Sequence, residues 1–163
     1  MDYARIQFGQ GFDAHRFDEE RTLILGGVQL PGPGLAGHSD ADVLTHAIID
    51  ALLGAAALGD IGSYFPPGEP QYKDISSLAL LKRVTNELTE NGWLIDNVDA
   101  TIVAEQPRLR EFIDGMRQQL SQTLDIAVSQ VSVKASTSAR LGFTGRGEGI
   151  AADAIALLEE SER

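Results

Sequence analysis

The chain has no cysteine, no long apolar run and few basic side chains, and each shortage excludes a class of protein. Without cysteine there are no disulfides and no thiolate metal sites, so any bound metal must sit on histidine and carboxylate ligands. No stretch approaches the 18 apolar residues that a membrane-spanning helix needs. Lys and Arg number 13 against 24 Asp and Glu, a net charge of −11. That field repels nucleic acid and anionic membrane surfaces, and neither is expected as a partner. An anionic small molecule would need a local positive site, which a bound divalent cation can create. The stretch Met1–Arg5 lacks a basic region followed by an apolar one, so no signal peptide is expected and the expected compartment is the cytoplasm. What is present, 163 residues with 43% hydrophobic and 23% charged, suits one globular domain over residues 1–163.

Histidine is also scarce: His15, His38 and His46 are the only three. In residues 5–17, Ile6, Phe8, Phe12 and Ala14 share one parity, and Gln7, Gly9, Gly11, Asp13 and His15 share the other. This alternation predicts a strand with one apolar and one polar face, and its glycines leave room for something to approach the backbone. Asp13 and His15, two apart, project to the same side. A carboxylate and an imidazole so placed supply two of the three protein ligands of a catalytic zinc site. By itself the pair fits a solvated strand end better than a metal site.

Thr22–Leu30 reads as a second strand with a bend at Gly26-Gly27, followed by a Pro-Gly loop over 31–34. A helix is predicted from about Asp40 to Leu58, capped by Ser39 or Asp40, with Asp42 in its first turn and Leu44, Ile48, Ala51, Leu52 and Ala55 as an apolar stripe. His46 lies off that stripe with Asp42 four residues before it and Asp50 four after. Either acid could hold the far nitrogen of a metal-bound imidazole, or His46 could be a salt-linked surface residue. We expect Asp13, His15 and His46 to hold a catalytic metal. His38 and Ser39 sit before the helix, where an anion would meet free N–H groups.

Gly59 to Gly62 stops the helix, and Phe65 to Pro70 is a stiff loop, either a connector or a mobile flap. Helices are predicted over Ser76–Glu90 and Arg110–Leu124, and strands over Asn97–Ala104 and Val131–Thr137. The glycine-rich run Leu141–Gly149 fits tightly folded backbone or a ligand-facing turn. Ile150–Leu158 is read as a last strand from its alternation, although alanine and leucine favour helix. The order implies an α/β (α+β) domain: a two-layer sandwich with helices on one face of a mixed four- to five-stranded sheet, in a ferredoxin-like arrangement.

Four motifs in order, Gly-Phe-Asp-Ala-His at 11–15, the segment His38–His46, Leu-Gly-Asp-Ile-Gly at 58–62 and Leu141–Gly149, make the whole chain resemble the 2-C-methyl-D-erythritol 2,4-cyclodiphosphate synthase family. The resemblance implies cyclisation of 4-diphosphocytidyl-2-C-methyl-D-erythritol 2-phosphate, with release of CMP, in the non-mevalonate isoprenoid pathway. It implies Zn2+ on Asp13, His15 and His46, and a homotrimer packed around its sheets with active sites between subunits. Asp13 and His15 also face substrate. His38 and Ser39 correspond to residues gripping the 2-phosphate side, and His38 with Thr137 to the pair acting on the transition state. Asp60, Ile61 and Gly62 correspond to the sugar-binding turn, and Phe65, Pro66, Pro67, Gly68 and Glu69 to a flexible loop beside it. Ala104, Glu105, Gln106, Pro107, Arg108, Leu109 and Arg110, with Ala135, Ser136, Thr137, Ser138 and Ala139, correspond to the cytidine and phosphate pocket. Phe143 and Arg146 correspond to positions lining the substrate or the centre of the assembly. Read locally, Phe143 packs and Arg146 pairs with Glu148.

Four positions depart from the family pattern. Ala139 replaces a glutamate that holds a second metal, Mg2+ or Mn2+, which puts that ion in doubt. Pro67 replaces an aspartate, Arg108 a lysine and Ala41 a glycine. Two other readings have distinguishing signs. A metal-dependent phosphohydrolase with altered substrate would release CMP with a linear product. A binding protein with a structural metal would show a fourth protein ligand.

Overall fold

The computed structural model describes residues 5–162, so the expectation about a leader, read from Met1–Arg5, falls on residues outside it but for Arg5. The chain opens with a 20-residue strand, β1 (Ile6–Leu25), turns at Gly26-Gly27, and returns as β2 (Val28–Leu35). Helix α1 (Val43–Ala55), a single turn α2 (Ile61–Tyr64) and α3 (Ser77–Glu90) follow. Then come β3 (Trp93–Val103), α4 (Ile113–Leu124), β4 (Val131–Ser136), the single turn α5 (Gly142–Gly145) and β5 (Gly149–Glu160). The sheet order is β2-β1-β5-β3-β4. Only β3 and β4 pair in parallel, and α4 supplies the crossover that parallel strands require.

The structure corrects the reading of residues 5–34. One strand runs through to Leu25: its first half pairs with β5 and its second half with β2. The bend expected inside a second strand is the hairpin turn itself. Pro31 to Gly34, expected as a loop, belongs to β2, which lies at the sheet edge, where a residue lacking an N–H is tolerated.

The face of β1 that carries Gly9 and Gly11 is the packed one. What approaches there is α1: a Cβ on Gly11 would lie 2.0 Å from the Ala47 carbonyl oxygen, and one on Gly9 2.2 Å from that of Ala51. Helix α1 thus lies almost on the strand backbone, and Asp13 and His15, of the same parity, point to the helix side. Eleven of its thirteen residues are buried, because the sheet covers one side and α3 another. A helix so enclosed needs no polar stripe, and His46 becomes an interior residue.

The apolar parity of β1 faces away from the helices. Ile6, Phe8 and Phe12 are exposed, Phe8 by 78%, and across the strands Ile155 and Leu94 join them. The described chain therefore has one sheet face in the core and one face outside, where these apolar side chains stand among polar ones such as Gln10 and Asp153.

Candidate metal centre

Strand β1 supplies Asp13 and His15, and the first half of α1 supplies His46. Asp13 Oδ2 lies 2.8 Å from His15 Nε2 and 3.1 Å from His46 Nδ1, and those two nitrogens are 3.3 Å apart. Ligands held at ~2.0–2.1 Å around a tetrahedral zinc are roughly 3.3 Å from one another. The three donor atoms thus stand close to the spacing of one face of a tetrahedron, and the group could hold a metal ion.

Hydrogen bonding also selects the ring atoms. His15 Nδ1 is 2.7 Å from the Ala36 carbonyl, an acceptor only, so Nδ1 carries the hydrogen and Nε2 presents its lone pair to the cluster. Burial opposes ionisation of Asp13, but the hydrogen bonds and charge of the two imidazoles outweigh it and hold the carboxyl below the usual range. Burial likewise works against the His15 cation, but Asp13 outweighs it and raises the imidazole above its ordinary value.

Neither carboxylate considered beside His46 meets its ring; Asp42 touches it only through the backbone carbonyl that accepts the His46 N–H. Asp42 is the actual N-cap of α1: its carboxylate accepts from the backbone N–H groups of Gly26, Gly27 and Thr45 and from the Thr45 hydroxyl. The helix therefore begins at Val43, not Asp40, and one carboxylate ties its start to the β1–β2 turn. Asp50 accepts from the Ile61 N–H and so fixes the start of α2. The far nitrogen of His46 instead meets two hydroxyls, Ser77 Oγ at 2.8 Å and Ser39 Oγ at 3.2 Å.

A cavity of about 230 Å³ opens beside the triad, lined by Asp13, His15, His38, Ser39 and His46, with Ile61, Gly62, Phe65, Pro67 and Tyr72 opposite. His38 Nε2 donates to the Glu69 carbonyl at 2.7 Å, which joins the 65–69 loop to the triad's rim. Pro66 and Gly68 belong to the same loop, with Gly68 at φ 89°. Asp60 caps α2 by accepting from the Ser63 N–H and hydroxyl. The Arg21 guanidinium, which sequence reasoning missed, donates to the carbonyls of Gly37 and Ser39 and fastens this rim to the tip of β1. Ala41 has a left-handed backbone (φ 58°), a conformation that favours glycine.

The remaining expected site residues lie elsewhere. Ala104, Glu105, Pro107, Arg108, Leu109 and Arg110 line a second cleft of about 360 Å³ with Ala135, Ser136 and Thr137. The Glu105 carboxylate accepts from the N–H groups of Ser138 and Arg140 and so holds the turn after Thr137, where Ala139 and Arg140 have φ 54° and 64°. Gln106 and Arg146 line a third cleft with Phe17. Arg146 pairs with Glu148 at 2.8 Å, as the local reading had it, while Phe143 on α5 is 39% exposed. The register sets the distance between the clefts: Asp13 is level with Ala152, Ala152 with Ile102, and Ile102 with Ala135. Three strand spacings, roughly 14 Å, separate the metal triad from the Thr137 cleft within one chain.

Comparison with known proteins bears on the whole chain. The YgbB family model matches residues 6–159. The 2-C-methyl-D-erythritol 2,4-cyclodiphosphate synthase of Moorella thermoacetica is 54% identical over 158 residues, 96% of this chain and 97% of that protein. Among solved structures, the bifunctional IspDF of Campylobacter jejuni superposes with a TM-score of 0.94 at 41% identity; 98% of this chain is covered, and it spans 44% of that protein. The Plasmodium falciparum IspF–CDP complex superposes at 0.85 with 34% identity, covering 99% of this chain and 100% of that one.

Proposed function

Because the chain belongs to the YgbB family, we propose that it converts 4-diphosphocytidyl-2-C-methyl-D-erythritol 2-phosphate to 2-C-methyl-D-erythritol 2,4-cyclodiphosphate with release of CMP. The observation that carries this reading is the convergence of Asp13, His15 and His46 beside an open cavity. The group counts three protein ligands, and a catalytic zinc site keeps its fourth position for substrate or water. We assign Zn2+ there on the strength of the two imidazoles, the carboxylate and their spacing. When bound, the ion supplies positive charge to the β-phosphate under attack.

The chain's own residues do the rest by position. The 2-phosphate is already ionised, so what it needs is alignment with the β-phosphorus and exclusion of water, not a strong base. His38 and Ser39 sit on the triad's rim to receive it. The hydrogen bond from His38 to Glu69 links that grip to the flexible loop, so substrate arriving at His38 displaces the loop. Asp60, Ile61 and Gly62 form the turn for the sugar, with Ile61 and Gly62 lining the cavity and Asp60 holding the turn by capping α2. Residues 104–110 and 135–139 form the cytidine pocket, where Arg108 and Arg110 offset phosphate charge and Thr137 acts on the developing transition state. Ala139 offers no carboxylate, so a second ion, Mg2+ or Mn2+, would be held by phosphate oxygens and water, or by a protein ligand from another position. Phe143 and Arg146 line the substrate or the centre of the assembly.

His38 lines the cavity beside Asp13 on β1, and Thr137 follows β4 three strands away, a separation that supports a site shared between chains. A homotrimer packed through the exposed apolar sheet faces, with each site shared between adjacent subunits, accounts for both facts. In that reading residues 1–163 act as one domain of ferredoxin-like layering in the cytoplasm. Incubation with the diphosphocytidyl substrate tests the assignment: CMP with the cyclic diphosphate is expected, and CMP with a linear product would make the protein a hydrolase.

A further inference from the structure

We propose that Asp40 and Ser77 are positioning residues for His46: acting as a relay, they fix which ring nitrogen of His46 bears hydrogen and so hold the other ready for the metal. The inference rests on the metal reading above and extends it to Asp40, read from the sequence only as a possible helix cap, and to Ser77, which no motif includes.

The argument is a count of hydrogens. Ser77 opens α3 and is fully buried. Its hydroxyl has one hydrogen to give and touches two groups, the Asp40 carboxylate and His46 Nε2. The carboxylate can only accept, so the Ser77 hydrogen goes to Asp40. The lone pairs of Ser77 Oγ then face His46 Nε2 at 2.8 Å, and that contact is attractive only if Nε2 carries a hydrogen. With hydrogen on Nε2, the neutral ring presents an unprotonated Nδ1, the atom 3.1 Å from Asp13 and 3.3 Å from His15 Nε2. The Ala36 carbonyl imposes the complementary choice on His15. Each imidazole is thus held by an acceptor on the side away from the cluster.

Asp40 is itself held for this task. Its other carboxylate oxygen accepts from the Ser77 N–H at 3.0 Å, and its N–H donates to the Ile75 carbonyl at 3.0 Å. The Asp42 N–H donates to the same oxygen that meets the Ser77 hydroxyl, at 3.1 Å. Asp40 therefore grips α3 at two points of Ser77 and sits one residue after Ser39, the second hydroxyl beside His46. Ser39 Oγ also accepts from the Ala41 N–H at 3.2 Å and stands farther from the ring than Ser77 Oγ.

Two substitutions probe the relay differently. Ser77→Ala removes the acceptor. Asp40→Asn keeps the shape but offers an amide that can donate to Ser77 Oγ, turning the serine hydrogen toward His46 and disfavouring the metal-ready form. Metal affinity is read by chelator competition with Zn2+ and Co2+, with Asp13→Ala as the control that loses the site. The His46 Nε2–H resonance of the zinc-loaded protein, followed by NMR, reports whether an acceptor still protects it from solvent exchange. We expect each variant to weaken metal binding about 10–100-fold and Ser77→Ala to expose the Nε2–H to exchange. Asp40→Asn should add nothing once Ser77 is alanine, as two residues in one hydrogen-bonded path require, and the exchange of the His46 Nε2–H is the readout that a merely structural tie between Asp40 and Ser77 would not move. Unchanged affinity and exchange in both variants, while Asp13→Ala still loses metal, would overturn the relay and leave the metal centre standing. Additive losses would also overturn it. Failure of the parent protein to bind either ion would sink both readings.

Discussion

At the scale of the residue, the proposed metal centre depends on a few atoms whose protons would compete with an ion. Asp13→Ala removes the oxygen that both imidazoles face, so zinc content after purification should fall to near zero. His38→Ala should lower turnover and leave zinc bound, because His38 faces the cavity and the Glu69 carbonyl and not the triad. Metal analysis beside a turnover assay distinguishes the two. The pH dependence follows from the shifts. Asp13 titrates below its ordinary 3.8, so its contribution to the metal-free fold is complete above that value and is lost as pH falls through the lower folded one. His15 is raised above its ordinary 6.5, so its contribution is complete below 6.5 and is lost as pH rises through the raised value. Metal binding needs the same nitrogen deprotonated. The chelator-treated protein should therefore melt at lower temperature as pH climbs above 6.5, while the rise in Tm on adding zinc grows over the same interval. Parallel melts with and without zinc check both slopes. A carboxylate and an imidazole two apart were legible as partners because strand geometry alone puts them on one side. The groups beside His46 were not: Ser77 lies 31 residues away, and no local period links it to a helix that precedes it.

At the scale of the element, the close approach of β1 to α1 is what carries His46 to Asp13. The same substitution should act in opposite directions at two glycines. Gly11→Ala places a Cβ 2.0 Å from a backbone oxygen of α1, which cannot swing aside as a side chain would, and overpacking of this kind costs about 1–3 kcal/mol. Gly115→Ala, inside α4 with its nearest neighbour at 3.5 Å, should stabilise by up to about 1 kcal/mol through helix propensity. At this chain length about 2–4 °C of Tm per kcal/mol is expected, so melting curves separate them. Gly11→Ala should also weaken zinc binding, since α1 must move away from β1. The strands over 97–104, 131–137 and 150–158 were legible because alternation reports burial of one face. The course of residues 5–34 was not, because a strand that changes partners midway keeps its local pattern while its neighbours differ. The start of α1 was misplaced for a related reason. Ser39, Asp40 and Asp42 all have capping side chains, and only the approach of Gly26 and Gly27 selects Asp42.

At the scale of the whole molecule, the exposed apolar residues of the outer sheet face and the separation of the clefts are what support the proposed trimer. Phe8→Glu, at the most exposed of the large apolar positions on that face, should lower the oligomeric state and abolish turnover while each chain still folds. Light scattering with circular dichroism reads both. A sharper test mixes two inactive proteins. If His38 of one subunit works with Thr137 of another, His38→Ala and Thr137→Ala subunits, dissociated and reassembled together, should regain part of the activity. If both act within one chain, the mixture should stay inactive. Alternation assigned the apolar parity of β1 without saying which side it takes, because period-2 patterning distinguishes two faces but does not choose which is covered by helices and which is left exposed.

The sequence by itself determined the ligand chemistry, the order of strands and helices, and the family motifs. These are set by residue type and short spacing, and short spacing fixes geometry wherever the backbone is regular. Only the tertiary structure decided which face of β1 lies inside, that Asp42 caps α1, that Ser77 and not an acid meets His46, and that the Thr137 cleft stands three strands away. Each of these depends on the approach of segments far apart in the chain, and local periodicity carries no term for that distance.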